Sequence, residues 1–200
     1  FVIVLLVTAS ASAQNGIRSK EFFKHEKYLA GDQLEGRFPG TSGNQKAAAY
    51  ISKKFTRFHL KKWKGNYYQP FKFLVKPNVN SAPADSVETN NIVGYLEGSD
   101  PVLKNEYIII GAHYDHLGLG GKGTGSKKPD TVAIHNGADD NASGVAALLT
   151  IAKEIAKHKT GFMRSIIFIA FSGEEEGLLG SKYFVSHLPV PDSAVKLMIN

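Results

Sequence analysis

The chain has 200 residues, a formal net charge of +6 and no cysteine. That length suits one domain of ordinary size with a proper core. The missing cysteine excludes disulfides, a thiolate nucleophile and thiolate-held zinc, so any metal must rest on His, Asp and Glu; the moderate basic charge draws anions without calling for a nucleic-acid partner.

Phe1 to Val7 is an apolar run, followed by Thr8-Ala9-Ser10-Ala11-Ser12-Ala13. It is too short to span a bilayer, which takes about 20 residues. It reads as the core and cleavage site of a secretory signal peptide. Residues 1–13 are then part of a signal, and 14–200 are exported to the periplasm or medium with no membrane association after cleavage.

A short helix is predicted over 21–30, with Phe22, Phe23 and Leu29 as apolar contacts and Gly31 as its stop. Leu34 to Thr41 is a glycine and proline loop. Ser42 and Gln45 have capping-box spacing, and Ala47, Ile51, Phe55 and Phe58 recur at helical spacing, so 42–59 is predicted as an amphipathic helix. Lys61, Lys62 and Lys64 flank Trp63, with Tyr67 and Tyr68 beyond. Basic and aromatic residues together can bind single strands, but a run this short between a helix and a strand reads as a solvated turn.

Strands are predicted over 71–75 and 91–96. Glu106 to Ala112 is apolar and β-branched, the pattern of a strand covered on both faces. Gly118, Gly120 and Gly123 match a dinucleotide fingerprint formally, but no helix opens there, so the match carries no weight. Val145, Leu148, Leu149, Ala152 and Ile155 form one face of a helix running to about Lys157 and ended by Gly161. A second doubly buried strand spans 165–171, a helix 177–186, and another strand begins at Val195. Strands alternating with helices predict an α/β fold with a mainly parallel central sheet and helices on both faces.

In such sheets ligands gather beyond the carboxyl ends of the strands. His113 and Asp115 follow one strand, Glu174 and Glu175 follow another, and Asp139 precedes the helix joining them. Asp139 and Asp140 are adjacent carboxylates among small residues, and such carboxylates repel unless a cation stands between them.

Three segments, Gly111-Ala112-His113-Tyr114-Asp115-His116-Leu117-Gly118, Gly137-Ala138-Asp139-Asp140-Asn141-Ala142-Ser143-Gly144 and Glu174-Glu175-x-Gly177-Leu178-x-Gly180-Ser181, resemble in order the motifs of the two-zinc aminopeptidases of clan MH. That family is related by fold to glutamate carboxypeptidase and the transferrin receptor ectodomain. Leu34-x-Gly36-Arg37-x-Pro39-Gly40-Thr41 resembles its N-terminal segment. The resemblance implies two Zn²⁺ ions, with His113 on one, Glu175 on the other and Asp139 bridging both. It implies Glu174 as general acid/base, Asp115 orienting His113, and a cis peptide after the bridging residue, at Asp139–Asp140. It further implies peptide substrates with a free N-terminus. The family's remaining Asp and His ligands would fall beyond Asn200, so 14–200 is expected to be the N-terminal part of a metallopeptidase catalytic domain. Alternatives on the same fold are a metallo-carboxypeptidase, a glutaminyl-cyclase-like enzyme and a non-catalytic ectodomain.

Overall fold

The computed structural model describes residues 19–75, 78 and 86–200. The expected signal peptide lies outside the described residues, as do residues 76, 77 and 79–85. Two helices open the fold, α1 (Ser19–Leu29) and α2 (Ser42–Arg57). The strands β1 (Lys61–Lys62), β2 (Tyr68–Leu74), β3 (Ser86–Leu96) and β4 (Tyr107–His113) follow. Then come α3 (Ser143–Lys157), β5 (Ser165–Phe171), α4 (Leu179–Ser186) and β6 (Val195–Ile199). The run after the first helix, expected as a solvated turn, contributes a two-residue strand, Lys61 and Lys62 pairing with Tyr95 and Gly94.

Thr41, not Ser42, caps α2: its hydroxyl accepts from the Asn44 N–H at 3.4 Å. Only Ser42 has the capping-box partner, Gln45, but the extended backbone at Thr41 (φ −75°, ψ 164°) makes Thr41 the cap.

The sheet runs β1-β3-β5-β4-β6, with β2 paired to β3. It is mixed. β4 pairs in parallel with β5 and β6, whereas β3 is antiparallel to β1, β2 and β5. The α/β class holds, and the parallel part is the part that carries the site. β5 is buried at every position, as its unbroken apolar run requires.

Alternation along the strands feeds two cores. Ile92, Leu96, Ala112, Ile166, Phe168 and Ala170 pack with α1, α2 and α3 through Leu29, Ile51, Phe55, Leu148 and Leu149. Val93, Ile109, Ile167, Ile169 and Phe171 face the other way and pack with Phe184 of α4. Helices therefore cover both faces. No helix among the described residues is long and apolar enough to cross a membrane.

β4 and β5 pair in register, Tyr107 with Ser165 through to His113 with Phe171. Their carboxyl ends therefore finish side by side. The Tyr114 N–H continues the ladder to the Phe171 carbonyl at 2.9 Å, so the two following loops leave the sheet from one point.

Candidate metal centre

Four segments meet at this rim. The loop after β4 carries His113, Asp115 and His116. The loop after β5 carries Glu174 and Glu175. A wide turn over Ala138–Ala142, just before α3, carries Asp139 and Asp140. The loop over 31–41 holds the first and third together.

Asp115 is fully buried. Its two carboxylate oxygens accept from the backbone N–H groups of Glu174 (3.2 Å) and Glu175 (3.3 Å). One side chain after β4 thus fixes the loop after β5. The same carboxylate lies 3.7 Å from His113 Nδ1, whose closer neighbour is the Asp115 carbonyl at 3.2 Å. Asp115 thus lies against the imidazole and holds the backbones of both glutamates.

Arg37 is the second organiser. Its guanidinium is buried, 1% exposed, and donates to four main-chain carbonyls. Nε reaches Tyr114 (2.7 Å), Nη1 reaches Leu29 and Asn136 (2.7 Å for the latter), and Nη2 reaches Gly137 at 3.0 Å. Burial pulls its pKa down to about 10, while Asp115, Asp140 and Glu175 counter it. It stays charged at neutral pH. Beside it Gly36, at φ 69°, lies so near the next loop that a Cβ would stand 2.3 Å from the Gly118 carbonyl oxygen. Only glycine fits there.

Gly137 turns the chain left-handed (φ 56°), and the Ala142 N–H returns to its carbonyl at 3.0 Å. Within this turn Asp140 leaves helical geometry (φ −112°, ψ 97°). Of the two adjacent aspartates, Asp140 is the one that faces the cluster. Asp140 Oδ1 lies 3.0 Å from His113 Nε2. The exposed Asp139 carboxylate makes no hydrogen bond or ion pair with the cluster. The cis peptide is likewise Asp140–Asn141, one bond later than expected. Two identical residues side by side leave the choice open in the sequence, and the backbone bend makes it.

The structure brings together His113, Asp115, Glu174, Glu175 and Asp140. Glu174 Oε2 stands 3.9 Å from His113 Nε2. Glu175 Oε1 accepts from or faces His116 Nδ1 at 2.6 Å. Single ligand atoms of His116, Asp140 and Glu175 lie within 4.8 Å of one another, close enough to hold one ion. His116 was not predicted. Its signal is its place three residues after His113 on a loop already bearing ligands, but spacing alone does not tell which imidazole turns inward.

Electrostatics match the crowding. Burial depresses the His113 pKa, but Asp115, Glu174 and Asp140 outweigh it and raise the value to about 9. Glu174 is raised by burial and by its acidic neighbours, with His113 pulling the other way. Glu176 is raised by burial, Asp115 and Glu175. Carboxylates gathered this closely want a cation, and a nitrogen and oxygen donor set without sulfur suits zinc.

Residues 91–200 match peptidase family M28. The chain belongs to that family. A probable zinc metalloprotease of Pyrenophora tritici-repentis is 37% identical over 111 residues, which is 55% of this chain and 23% of that protein. The alkaline phosphatase isozyme conversion protein of Escherichia coli is 25% identical over 164 residues, 82% of this chain and 45% of that one. The M28 chain thus spans a minor part of the length of these curated relatives. Among solved structures, a Zn-dependent exopeptidase from Parabacteroides distasonis superposes with TM-score 0.66 at 20% identity, covering 92% of this chain and 61% of that one. A glutaminyl cyclase from Bacteroides thetaiotaomicron gives 0.67 at 19%, with the same coverage. At these identities the likeness speaks for the fold, and both neighbours share it with this M28 chain.

Proposed function

We propose that the whole protein is an exported zinc aminopeptidase in which Asp140, not Asp139, lies between two metal positions. The observation that carries this reading is the placement of Asp140 in reach of His113 on one side and of His116 and Glu175 on the other. His113 and Asp140 would hold one ion, and Asp140 with Glu175 the second, with His116 against Glu175. Bound there, the cations would supply Lewis acidity toward a peptide carbonyl and lower the pKa of a water to about 7.

The chain's own residues supply the rest. Glu174 is only part-buried and makes no hydrogen bond through its carboxylate among the described residues, so it is placed to take a proton from water and hand it to the leaving amine. Its raised pKa suits both halves of that exchange. Asp115 holds Glu174 and Glu175 by their backbones and keeps the His113 ring turned toward Asp140. The carboxylates around the site favour a substrate that brings a free amino group, which supports peptides cleaved at their N-terminus.

The test is Glu174→Ala in the full-length protein. Turnover of leucine p-nitroanilide should fall at least a thousandfold while zinc content stays the same. Retained turnover removes Glu174 from the proton-transfer role. A wild-type protein that holds one zinc and cyclises N-terminal glutamine, leaving the anilide intact, would place it with the cyclases instead.

A further inference from the structure

α1, α2 and α3 enclose a second cleft of about 570 Å³. It lies at the far end of α3 from Asp140, and the 15 residues of that helix put the two about 20 Å apart. Six cations line it: Lys20 and Lys24 from α1, Lys54 and Arg57 from α2, Lys153 and Lys157 from α3. Lys153 pairs with Glu21 at 2.5 Å and Lys157 with Glu154 at 2.6 Å. Lys20, Lys24, Lys54 and Arg57 have no carboxylate partner among the described residues. The ends of α2 and α3 contribute about half a negative charge each, which leaves an excess of about three positive charges. Burial, Lys24, Arg57 and Lys153 press the Lys54 pKa downward against the pull of Glu21, the mark of cations that outnumber the carboxylates beside them.

His25 lines the same cleft and is 1% exposed. Its Nδ1 meets the Tyr50 hydroxyl at 2.7 Å, and its Nε2 makes no hydrogen bond among the described residues. The nearest carboxylate oxygen, on Glu21, is 3.9 Å away and already holds Lys153. Burial and the neighbouring Lys54, Lys153 and Lys24 hold the His25 pKa at about 4, against the pull of Glu21. The ring is therefore neutral at pH 7. Tyr50, raised to about 12, keeps its proton. With that O–H assigned as donor to Nδ1, the hydrogen of the imidazole sits on Nε2. A buried N–H in the lining of a cationic cleft then has nothing to donate to among the described residues, although buried donors are as a rule satisfied.

We propose that this cleft binds a small multivalent oxyanion, a phosphate- or polyphosphate-bearing molecule, held by Lys24, Lys54 and Arg57 with the His25 Nε2–H as buried donor. Its volume falls in the range of small-molecule sites, about 300–1,000 Å³. The anion offsets the mutual repulsion of the cations and completes the hydrogen bonding of His25. The site is independent of the peptidase centre.

Pyrophosphate is the probe, titrated calorimetrically into full-length protein stripped of zinc, since pyrophosphate also binds that metal. Saturable one-to-one binding with Kd below about 1 mM at physiological salt is expected. The double change Lys54→Glu and Arg57→Glu should weaken it at least tenfold, with hydrolysis of leucine p-nitroanilide by the zinc-loaded variant unchanged. Bound pyrophosphate should also raise the His25 pKa from about 4, read from its ring resonances. Absent binding, or binding equal in the variant, overturns the proposal. Vesicles containing phosphatidylglycerol form the second arm. Binding to them that pyrophosphate does not compete assigns the cleft to a lipid headgroup and overturns the soluble ligand.

Discussion

At the residue scale the centre turns on which of two neighbouring aspartates faces inward. Asp140 touches His113 and Asp139 touches none of the cluster. Asp140→Ala in the full-length protein should therefore lose most bound zinc, whereas Asp139→Ala should keep it; metal analysis of the two purified variants checks the pair. The reverse result would return the bridge to Asp139. Asp115→Ala removes the acceptor for two backbone N–H groups at once. Leaving a buried donor unsatisfied costs about 1–3 kcal/mol. Turnover should drop at least a hundredfold, with a clear loss of thermal stability. Asp115→Asn, which keeps one acceptor oxygen, should retain more stability than activity. Residue types and order made His113, Asp115, Glu174 and Glu175 legible as a site, because each stands at the end of a strand or just beyond it. The direction of a side chain within a tight turn is not written in that order. The inward turn of His116 and Asp140 was not legible for this reason, each standing beside or near a residue of its own kind.

At the scale of elements, the parallel register of β4 with β5 aligns the two loops, and Arg37 ties them to the N-terminal segment. Arg37→Met would strand four carbonyls around an apolar side chain. Hydrogen bonds to a charged group are worth about 1.5–3 kcal/mol each and do not simply add. A net loss on the order of 4 kcal/mol, a fall of roughly 10 °C in Tm, is expected by calorimetry. Zinc affinity should fall in the variant that still folds. Continuous apolar runs gave β5 its bounds from Ser165 to Phe171, since a strand covered on both faces leaves no polar break inside it. The direction of β3 was not legible. It runs antiparallel to β5 through pairs such as Ile92 with Ala170, and direction depends on how a connection folds back, which apolar content does not record. The cap at Thr41 rather than Ser42 shows the same limit on a smaller span.

At the scale of the whole molecule, acid is the condition that should loosen the fold from the side away from the metal. His25 titrates near 4 when folded and near its ordinary 6.5 when unfolded. The unfolded chain therefore binds the extra proton between those values, and stability falls as pH drops through that window. The full difference is about 3 kcal/mol. Melting curves of the metal-free protein should show this slope between pH 6.5 and 4, and His25→Gln should flatten it. At the edge of the sheet, β6 leaves Leu197 (52% exposed), Met198 and Ile199 uncovered among the described residues. The clamp at Arg37 reaches further still. It makes assembly of the centre depend on chain continuity far upstream in the primary order, because a single guanidinium fastens Leu29, Tyr114, Asn136 and Gly137. One proteolytic nick between Gly31 and Thr41 would slacken that knot without touching a carboxylate of the cluster, so the rim would lose its shape while every acidic side chain on it stayed in place.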